Sequence, residues 1–220
     1  MSGGMSRLNA EHGGEARRRL AFERLYKPRE GSVIVEDRSA LYRHAADLMG
    51  SDEPITYLEF GVGQGNSMRE MVRQFPHPDS LFVGFDSFIG LPEDWLMHKR
   101  GAFSNLGEAP RIGDPRVRFV KGWFQNTLHD SLVWLRGHLT GRVLIHYDAD
   151  LYYSTLFLLI SLWPHCADYH FIMDDFSHDD IVALHDFSLA CPVEIQFLAR
   201  VAGDRPGATL GWISRTKFSP

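Results

Sequence analysis

Residues 59–67 read Glu-Phe-Gly-Val-Gly-Gln-Gly-Asn-Ser, and this glycine-rich stretch decides the fold. The short run Ile-Thr-Tyr-Leu at 55–58 comes directly before it, and a segment compatible with a helix follows from about Met68. A strand that turns through closely spaced glycines into a helix forms a cradle, because the backbone can approach a ligand and the helix N-terminus offers unpaired N–H groups. The dinucleotide-binding pattern G-x-G-x-x-G is not met, because position 66 is Asn.

Composition indicates one soluble globular domain with no nucleic-acid or membrane partner. Of the 220 residues, 44% are hydrophobic and 23% are charged, and the formal net charge of -5 gives no basic excess. The N-terminus lacks the apolar segment of a signal peptide, and the longest apolar run, 156–163, is too short to cross a bilayer. Cys166 and Cys191 have neither disulfide-framework nor metal-type spacing. We therefore expect a cytoplasmic protein.

The order of elements predicts an α/β fold. We expect residues 1–30 to form a flexible N-terminal arm with a short helix from about residue 17, and residues 31–220 to form the domain. After a helix at 36–49, strand and helix candidates alternate, which predicts a Rossmann-like, doubly wound parallel sheet. The strand candidates are 55–60, 81–86, 117–120, 142–148, 169–174, 193–198 and 210–214, and the helix candidates are 67–74, 126–135, 154–162 and 179–189.

Two departures from this alternation stand out. No helix separates the last two strand candidates, so they are predicted to form an antiparallel hairpin at the C-terminal edge of a seven-stranded, mostly parallel sheet. Residues 90–115 show no periodicity and are rich in Gly and Pro. Irregular segments of that length are usually lids or face a substrate.

Asp86 and the segment after the third strand are candidate cofactor ligands. Asp86 ends the second strand about 20 residues beyond the glycines, where a carboxylate can accept hydrogen bonds from ribose hydroxyls. The alternative, that Asp86 caps a turn with Ser87, is less favoured. Trp123 and Phe124 either flank a purine ring or belong to the core.

Acidic residues follow the fourth and fifth strands. If the fourth strand continues to 150, His146, Asp148 and Asp150 face the same way, because strand side chains alternate. Asp174 and Asp175 end the next strand, which we expect to be its neighbour. Carboxylates held together repel one another unless a cation or protons neutralise them, and oxygen ligands suit Mg²⁺ or Mn²⁺. Helix N-capping is the simpler explanation for one of these residues, but not for all of them.

Several motifs resemble known families. Glu-x-Gly-x-Gly-x-Gly at a strand end resembles the first motif of class I S-adenosylmethionine methyltransferases. Taken together, four further segments resemble the macrocin-type sugar O-methyltransferase family over roughly residues 35–200, although Phe176 stands where Tyr is common there. These segments are Gly-Phe-Asp-Ser-Phe-x-Gly-Leu-Pro-Glu (84–93), Lys-Gly-Trp-Phe with Thr-Leu (121–128), Asp-Ala-Asp-Leu-Tyr-x-Ser-Thr (148–155) and Asp-Asp-Phe (174–176).

The resemblance implies transfer of a methyl group from S-adenosylmethionine to a hydroxyl of a sugar or secondary metabolite, assisted by Mg²⁺ and an Asp general base. The metal ligands it implies are Asp148, Asp174 and Asp175. The base is Asp150, with His146 and His178 as competing candidates. The cofactor-binding residues are Glu59, Gly61, Gly63, Gly65, Ser67, Asp86, Ser87, Trp123 and Phe124.

Other classes of protein share parts of this pattern. Asp-Ala-Asp after an apolar strand also resembles the metal-binding motif of nucleotide-sugar glycosyltransferases, and catechol-type methyltransferases also hold Mg²⁺ on carboxylates. An NAD(P)-dependent oxidoreductase is disfavoured by Asn66, and a non-catalytic scaffold by the intact acidic residues. The N-terminal helix is a candidate contact for a homo-oligomer.

Overall fold

The structure, a computed structural model, describes residues 3–166, 168–203 and 207–216, with the backbone alone over residues 3–13 and at position 177. Its helices and strands alternate along most of this length. In chain order the elements are α1 (Gly3–Leu25), β1 (Pro28–Val35), α2 (Arg38–Met49), β2 (Thr56–Phe60), α3 (Asn66–Gln74), β3 (Leu81–Asp86), β4 (Val117–Lys121), α4 (Phe124–Leu135), β5 (Val143–Tyr147), α5 (Tyr152–Leu162), β6 (Tyr169–Met173), α6 (Ile181–Ala190), β7 (Val193–Val201) and β8 (Thr209–Arg215).

The strands of the described chain form one sheet in the order β1-β7-β8-β6-β5-β2-β3-β4. Neighbours from β6 to β4 run parallel, whereas β8 is antiparallel to both β6 and β7. The predicted α/β class and the antiparallel pair near the C-terminus are confirmed. The strand count is eight rather than seven, because β1 pairs in parallel with β7 and forms the edge of the sheet.

The central strands are buried on both faces. All five residues of β2 and of β5 are buried, as expected for parallel strands covered by helices on either side. One face contributes Leu58 and Ile145 to a core shared with α4, α5 and α6, and the other contributes Tyr57 to a core shared with α2 and α3. Covered on both sides, these strands present their carboxyl ends at one edge of the sheet.

The N-terminal segment contains a longer helix than the sequence predicted. A helix extends over Gly3–Leu25 and is followed by β1, which crosses the predicted boundary at residue 31; residues 1 and 2 lie outside the described chain. Contacts with the domain hold the helix: Arg18 pairs with Asp179 at 3.6 Å, and the Tyr26 ring packs 4.8 Å from that of Phe197. These partners lie far along the chain, so local sequence could not reveal them.

The helices from α2 onward lie close to their predicted positions. Helix α2 begins at an N-cap formed by Asp37, whose side chain accepts a hydrogen bond of 2.8 Å from the Ala40 backbone N–H. Before α6 the chain makes a kinked turn over Phe176–Asp180, with His178 in a non-helical conformation. Residues 179 and 180, predicted as helix, therefore belong to this turn.

The predicted irregular segment after β3 is present and folds back on itself. The backbone N–H of Leu91 donates to the Ala102 carbonyl at 2.9 Å, and Gly101 donates to the Leu91 carbonyl at 2.8 Å. Gly90 permits this approach, because a Cβ there would lie 2.3 Å from the Ala102 carbonyl oxygen. Among the residues that the structure describes, no helix is long and apolar enough to cross a membrane.

We expect Gly211→Ala to destabilise the protein by about 1–3 kcal/mol or more, because overpacking forces neighbours to move. A Cβ at Gly211 would lie 2.3 Å from the Phe171 ring and 2.7 Å from the Gln196 carbonyl oxygen. Urea unfolding measures the change, with Gly137→Ala as the control, since no atom lies within 4 Å of the added carbon there. Equal stability of the two variants would contradict this account of the sheet packing.

Candidate active site

A cleft of about 750 Å³ opens at the carboxyl ends of the parallel strands. Open α/β sheets bind ligands at this edge. Most of the site residues predicted from the sequence line this cleft, whereas Glu59, Gly65, Ser67 and His146 lie beside or beneath it. The predicted residues in the lining are Gly61, Gly63, Asp86, Ser87, Trp123, Phe124, Asp148, Asp150, Asp174, Asp175 and His178.

The glycine loop between β2 and α3 brings the backbone against the acidic strand ends. Gly61 has a φ of 95°, and a Cβ there would lie 1.8 Å from the Asp148 carbonyl oxygen, so only glycine fits. Gly63 has a φ of 51° and open space where a Cβ would be. Gly65 instead packs under the loop at Pro110, which would lie 2.9 Å from an added Cβ. The first two glycines therefore form the open cradle, and the third shapes the turn into α3.

Asp86 holds the glycine loop from the end of β3. Its Oδ2 accepts backbone hydrogen bonds of 2.8 Å from both Val62 and Gly63, and its Oδ1 accepts one of 2.7 Å from Phe88. The turn-capping contact considered from the sequence is therefore present. Each carboxylate oxygen offers two lone pairs, so Oδ1 keeps one acceptor position for a hydroxyl in the cleft.

Glu59 lies beneath the loop in a buried polar network. Ser67 donates its hydroxyl proton to Glu59, and the Tyr57 hydroxyl lies 3.2 Å from Glu59 Oε2 and 2.8 Å from His146 Nδ1. Burial raises the pKa of Glu59 to about 7. His146 is fully buried in β5 and does not line the cleft. Both side chains thus support the site from below.

Asp148, Asp174 and Asp175 form an acidic cluster at the ends of β5 and β6. Each offers one carboxylate oxygen, and these three oxygens lie within 4.8 Å of one another. Burial, together with repulsion from Asp174 and Asp150, raises the pKa of Asp148 well above its usual value. Burial and Asp174 also raise the pKa of Asp175. An all-oxygen set with this repulsion fits a hard divalent cation such as Mg²⁺ or Mn²⁺.

Asp174 differs from the other two members because Arg38 pairs with it. The guanidinium Nε and Nη2 donate hydrogen bonds of 2.7 and 2.6 Å to the two carboxylate oxygens. Although burial acts in the opposite direction, the neighbouring His146 ring and the Arg38 guanidinium lower the pKa of Asp174 to about 2. Sequence reasoning missed Arg38, because nothing in the local pattern at the start of α2 links it to a carboxylate 136 residues away.

Asp150 lies in the cleft, as predicted, but strand alternation is not what places it there. Strand β5 ends at Tyr147, and Asp150 adopts a left-handed conformation with φ of 61°, so alternation does not extend to it. Asp tolerates this conformation better than most residues. Burial and the adjacent Asp175 raise the pKa of Asp150 to about 7. A carboxylate with such a pKa can take up a proton near neutral pH.

Aromatic side chains line the same cleft as the acidic cluster. The Trp95 ring stacks with His98 at 5.9 Å and meets the His178 ring edge-on at 6.1 Å, and Phe103 lies 4.6 Å from His98. Tyr153 completes this lining. Trp95 and Phe103 belong to the irregular segment 90–115, and both line the cleft. Arg100, in the same segment, lies outside the lining.

Asp180 is a buried carboxyl group that sequence reasoning did not assign to the site. It is 1% exposed, and Thr155 donates a hydrogen bond of 2.7 Å to its Oδ1. Its Oδ2 has no hydrogen-bond partner among the described residues. Burial raises the pKa of Asp180 to about 8.

The fold and its glycine loop resemble those of class I S-adenosylmethionine-dependent methyltransferases. Residues 99–194 match the family of macrocin O-methyltransferases, which confirms the resemblance stated from the motifs. The O-methyltransferase NovP is 23% identical and superposes with a TM-score of 0.51, covering 82% of this chain and 80% of its own. At that identity the likeness concerns the fold.

Two curated relatives are O-methyltransferases from Streptomyces. The demethyldecarbamoylnovobiocin O-methyltransferase of Streptomyces niveus is 28% identical, with 59% of this chain and 56% of that protein covered. The 8-demethyl-8-(2,3-dimethoxy-alpha-L-rhamnosyl)-tetracenomycin-C 4'-O-methyltransferase of Streptomyces olivaceus is 31% identical, with 64% and 60% covered. The chain thus matches less than two thirds of the length of either relative.

We expect the stability of Asp180→Asn relative to that of the wild type to increase as the pH rises. The native Asp180 carboxyl has a pKa raised to about 8, whereas an unfolded chain releases this proton near pH 4. The native state therefore binds the extra proton between these values, and wild-type stability falls as pH rises through this window. The Asn variant cannot ionise, so its advantage at pH 8 over pH 4.5 should reach on the order of a few kcal/mol.

Urea unfolding at pH 4.5, 6 and 8 measures this difference. Asp179→Asn is the matched control, because Asp179 is adjacent, partly exposed and paired with Arg18. If both variants showed the same change with pH, burial of Asp180 would not be the cause.

Proposed function

We propose that the protein transfers a methyl group from S-adenosylmethionine to a hydroxyl of a sugar or secondary-metabolite acceptor. One observation carries this proposal: a single cleft contains the open glycine loop, the Asp86 carboxylate and the acidic strand ends. The donor would bind at the loop, and the acceptor hydroxyl would meet its methyl group near Asp148 and Asp150. The named activities of the two Streptomyces relatives support this reaction class.

The donor side has the features that an adenosyl ligand requires. Gly63 leaves space next to the backbone, and the free acceptor position on Asp86 suits a ribose hydroxyl. Trp123 and Phe124 lie in the same cleft and offer flat faces for a purine. Phe124 also packs edge-on against Phe60 at 5.6 Å, so it serves the core as well as the cleft.

The acceptor side joins an aromatic wall to carboxylates. Trp95 and Phe103 would offer apolar faces to a ring, and Asp150, in the same cleft, would accept the hydroxyl proton. This pairing suits a ring that carries hydroxyl groups. One relative is named for a rhamnosyl tetracenomycin acceptor, which fits this chemistry.

The acidic cluster is proposed to hold Mg²⁺ through Asp148, Asp174 and Asp175. The fit rests on three convergent carboxylate oxygens and on the raised pKa values of Asp148 and Asp175, which an added positive charge would reverse. When bound, the ion supplies positive charge that stabilises the oxygen anion developing on the acceptor.

Asp150 is proposed as the general base. The acceptor oxygen attacks the methyl carbon in line, the carbon–sulfur bond breaks, and the donor leaves as the neutral thioether S-adenosylhomocysteine. The hydroxyl proton passes to the Asp150 carboxylate, whose pKa burial raises above that of an exposed Asp. His178 shares the cleft and is the second candidate, whereas His146 lies beneath it and faces Tyr57. Alignment of the reacting atoms can lower the barrier by about 7–11 kcal/mol.

Binding of S-adenosylhomocysteine tests the donor side. We expect the wild type to bind it in calorimetry, and Asp86→Ala to weaken binding by about tenfold to hundredfold, because a hydrogen bond to a charged group is lost. Asp130→Ala, on the exposed side of α4, is the control and should bind like the wild type. Thermal melting confirms that each variant is folded. Binding of uridine diphosphate in place of S-adenosylhomocysteine would instead support a glycosyltransferase.

Two isosteric variants separate the metal role from the base role. Asp148→Asn should weaken Mn²⁺ binding by about tenfold or more, because one charged ligand is lost. Asp150→Asn should keep Mn²⁺ binding but lower turnover of a screened glycoside acceptor by about 10²–10⁴-fold, the usual contribution of a general base. Calorimetry and detection of S-adenosylhomocysteine measure the two effects. Full turnover by Asp150→Asn would move the base role to His178.

A further inference from the structure

We propose that Arg38 competes with the divalent cation for Asp174 and thereby sets the metal affinity of the site. This inference rests on the proposed metal site and assigns a role to a residue outside it. In the cation-free protein, Arg38 acts as the counter-ion of the acidic cluster. A cation that enters from the cleft has to share Asp174 with the guanidinium or release it.

The geometry of the pair means that Asp174 would have to bind the guanidinium and the cation with the same two oxygens. Arg38 is bidentate, with one N–H···O bond of 2.7 Å to Oδ1 and one of 2.6 Å to Oδ2, so each oxygen already carries a strong donor. His146 Nε2 lies 3.8 Å from Oδ1 as well. Both oxygens of Asp174 therefore already accept hydrogen bonds from Arg38, even though the proposed cation needs one of them.

The positive charge of Arg38 also opposes cation binding. A guanidinium is positively charged at every relevant pH. It lies in contact with Asp174, and the other two carboxylate oxygens of the cluster lie within 4.8 Å of one of that residue's oxygens. Repulsion between this permanent positive charge and an incoming dication at such distances is substantial in a partly buried site. Arg38 thus opposes the entry of a cation, and it compensates part of the negative charge of the cluster when no cation is bound.

Exposure shows which partner can move. The Arg38 side chain is 54% exposed, whereas that of Asp174 is 12% exposed at the end of β6. Arg38 begins α2 and, among the described residues, is not part of the cleft lining. The guanidinium can therefore swing into solvent without disturbing the core. Asp174 stays fixed by the sheet, so release of Arg38 leaves a carboxylate already in position.

Helix α2 also offers a matched control. Arg43 lies on the same helix, its side chain is 53% exposed, and it pairs with the exposed Glu36 at 3.5 Å. Loss of Arg43 removes the same charge from the same helix without touching the acidic cluster. Arg38→Met and Arg43→Met therefore differ in which carboxylate each leaves uncompensated.

The experiment measures Mn²⁺ binding by calorimetry and by electron paramagnetic resonance, without acceptor or donor. We expect Arg38→Met to bind Mn²⁺ about tenfold or more tightly than the wild type, because a competing charge is removed. Arg38→Lys, which keeps the charge but loses the bidentate fork, should fall between the two. Arg43→Met should bind like the wild type. Unchanged or weaker binding by Arg38→Met would overturn the inference.

Thermal melting in EDTA gives a second measure that does not depend on activity. Without metal, Arg38→Met should melt at a lower temperature than the wild type, because Asp174 loses its counter-ion. Addition of Mn²⁺ should raise the melting temperature of Arg38→Met more than that of the wild type.

The binding results separate the inference from the proposed function. Binding of Mn²⁺ by Arg38→Met but not by the wild type would keep the inference and remove the metal from the proposed function. Tighter binding of Mn²⁺ by the wild type than by Arg38→Met would keep the proposed metal site and overturn the inference about Arg38. Absence of Mn²⁺ binding in both proteins would reject the metal site and the inference together.

Discussion

Asp148, Asp174 and Asp175 lie at the ends of two adjacent strands, where partial burial strengthens the repulsion between their carboxylates. This repulsion has to be relieved in each state of the protein. Arg38 relieves it at Asp174, and the raised pKa values of Asp148 and Asp175 show that their negative charges are disfavoured without further compensation. The chemistry of the site therefore depends on which positive charge accompanies these carboxylates.

The central parallel strands bring the two halves of the cleft together. Strand β2 lies next to β5, so the loop that leaves β2 passes directly against the residues that follow β5. At Gly61 the two backbones approach so closely that no side chain fits. The glycine loop and the acidic cluster are thus fixed relative to each other by backbone packing, so that the proposed methyl donor and acceptor would be aligned without movement of the sheet.

Strongly patterned elements were predictable, and weakly patterned ones were not. The buried strands read as short apolar runs, and each was found at its predicted position. In contrast, β1 contains Pro28 and Gly31, and nearly all of its residues are exposed, so it carries no strand signal of its own. It forms because β7 offers an unpaired edge. Likewise α1 depends on its contacts with the domain, including those of Ala21, Phe22 and Leu25 with the core.

The sequence by itself determined the α/β class, the glycine loop and the acidic segments, because each is encoded within a few neighbouring residues. Tertiary structure alone decided which charges meet. Arg38 and Asp174 are 136 residues apart, and no local pattern links them. His146 was a candidate base by type and spacing, yet its strand buries it against Tyr57. Such pairings arise from strand order and from long-range packing, which a short sequence motif does not contain.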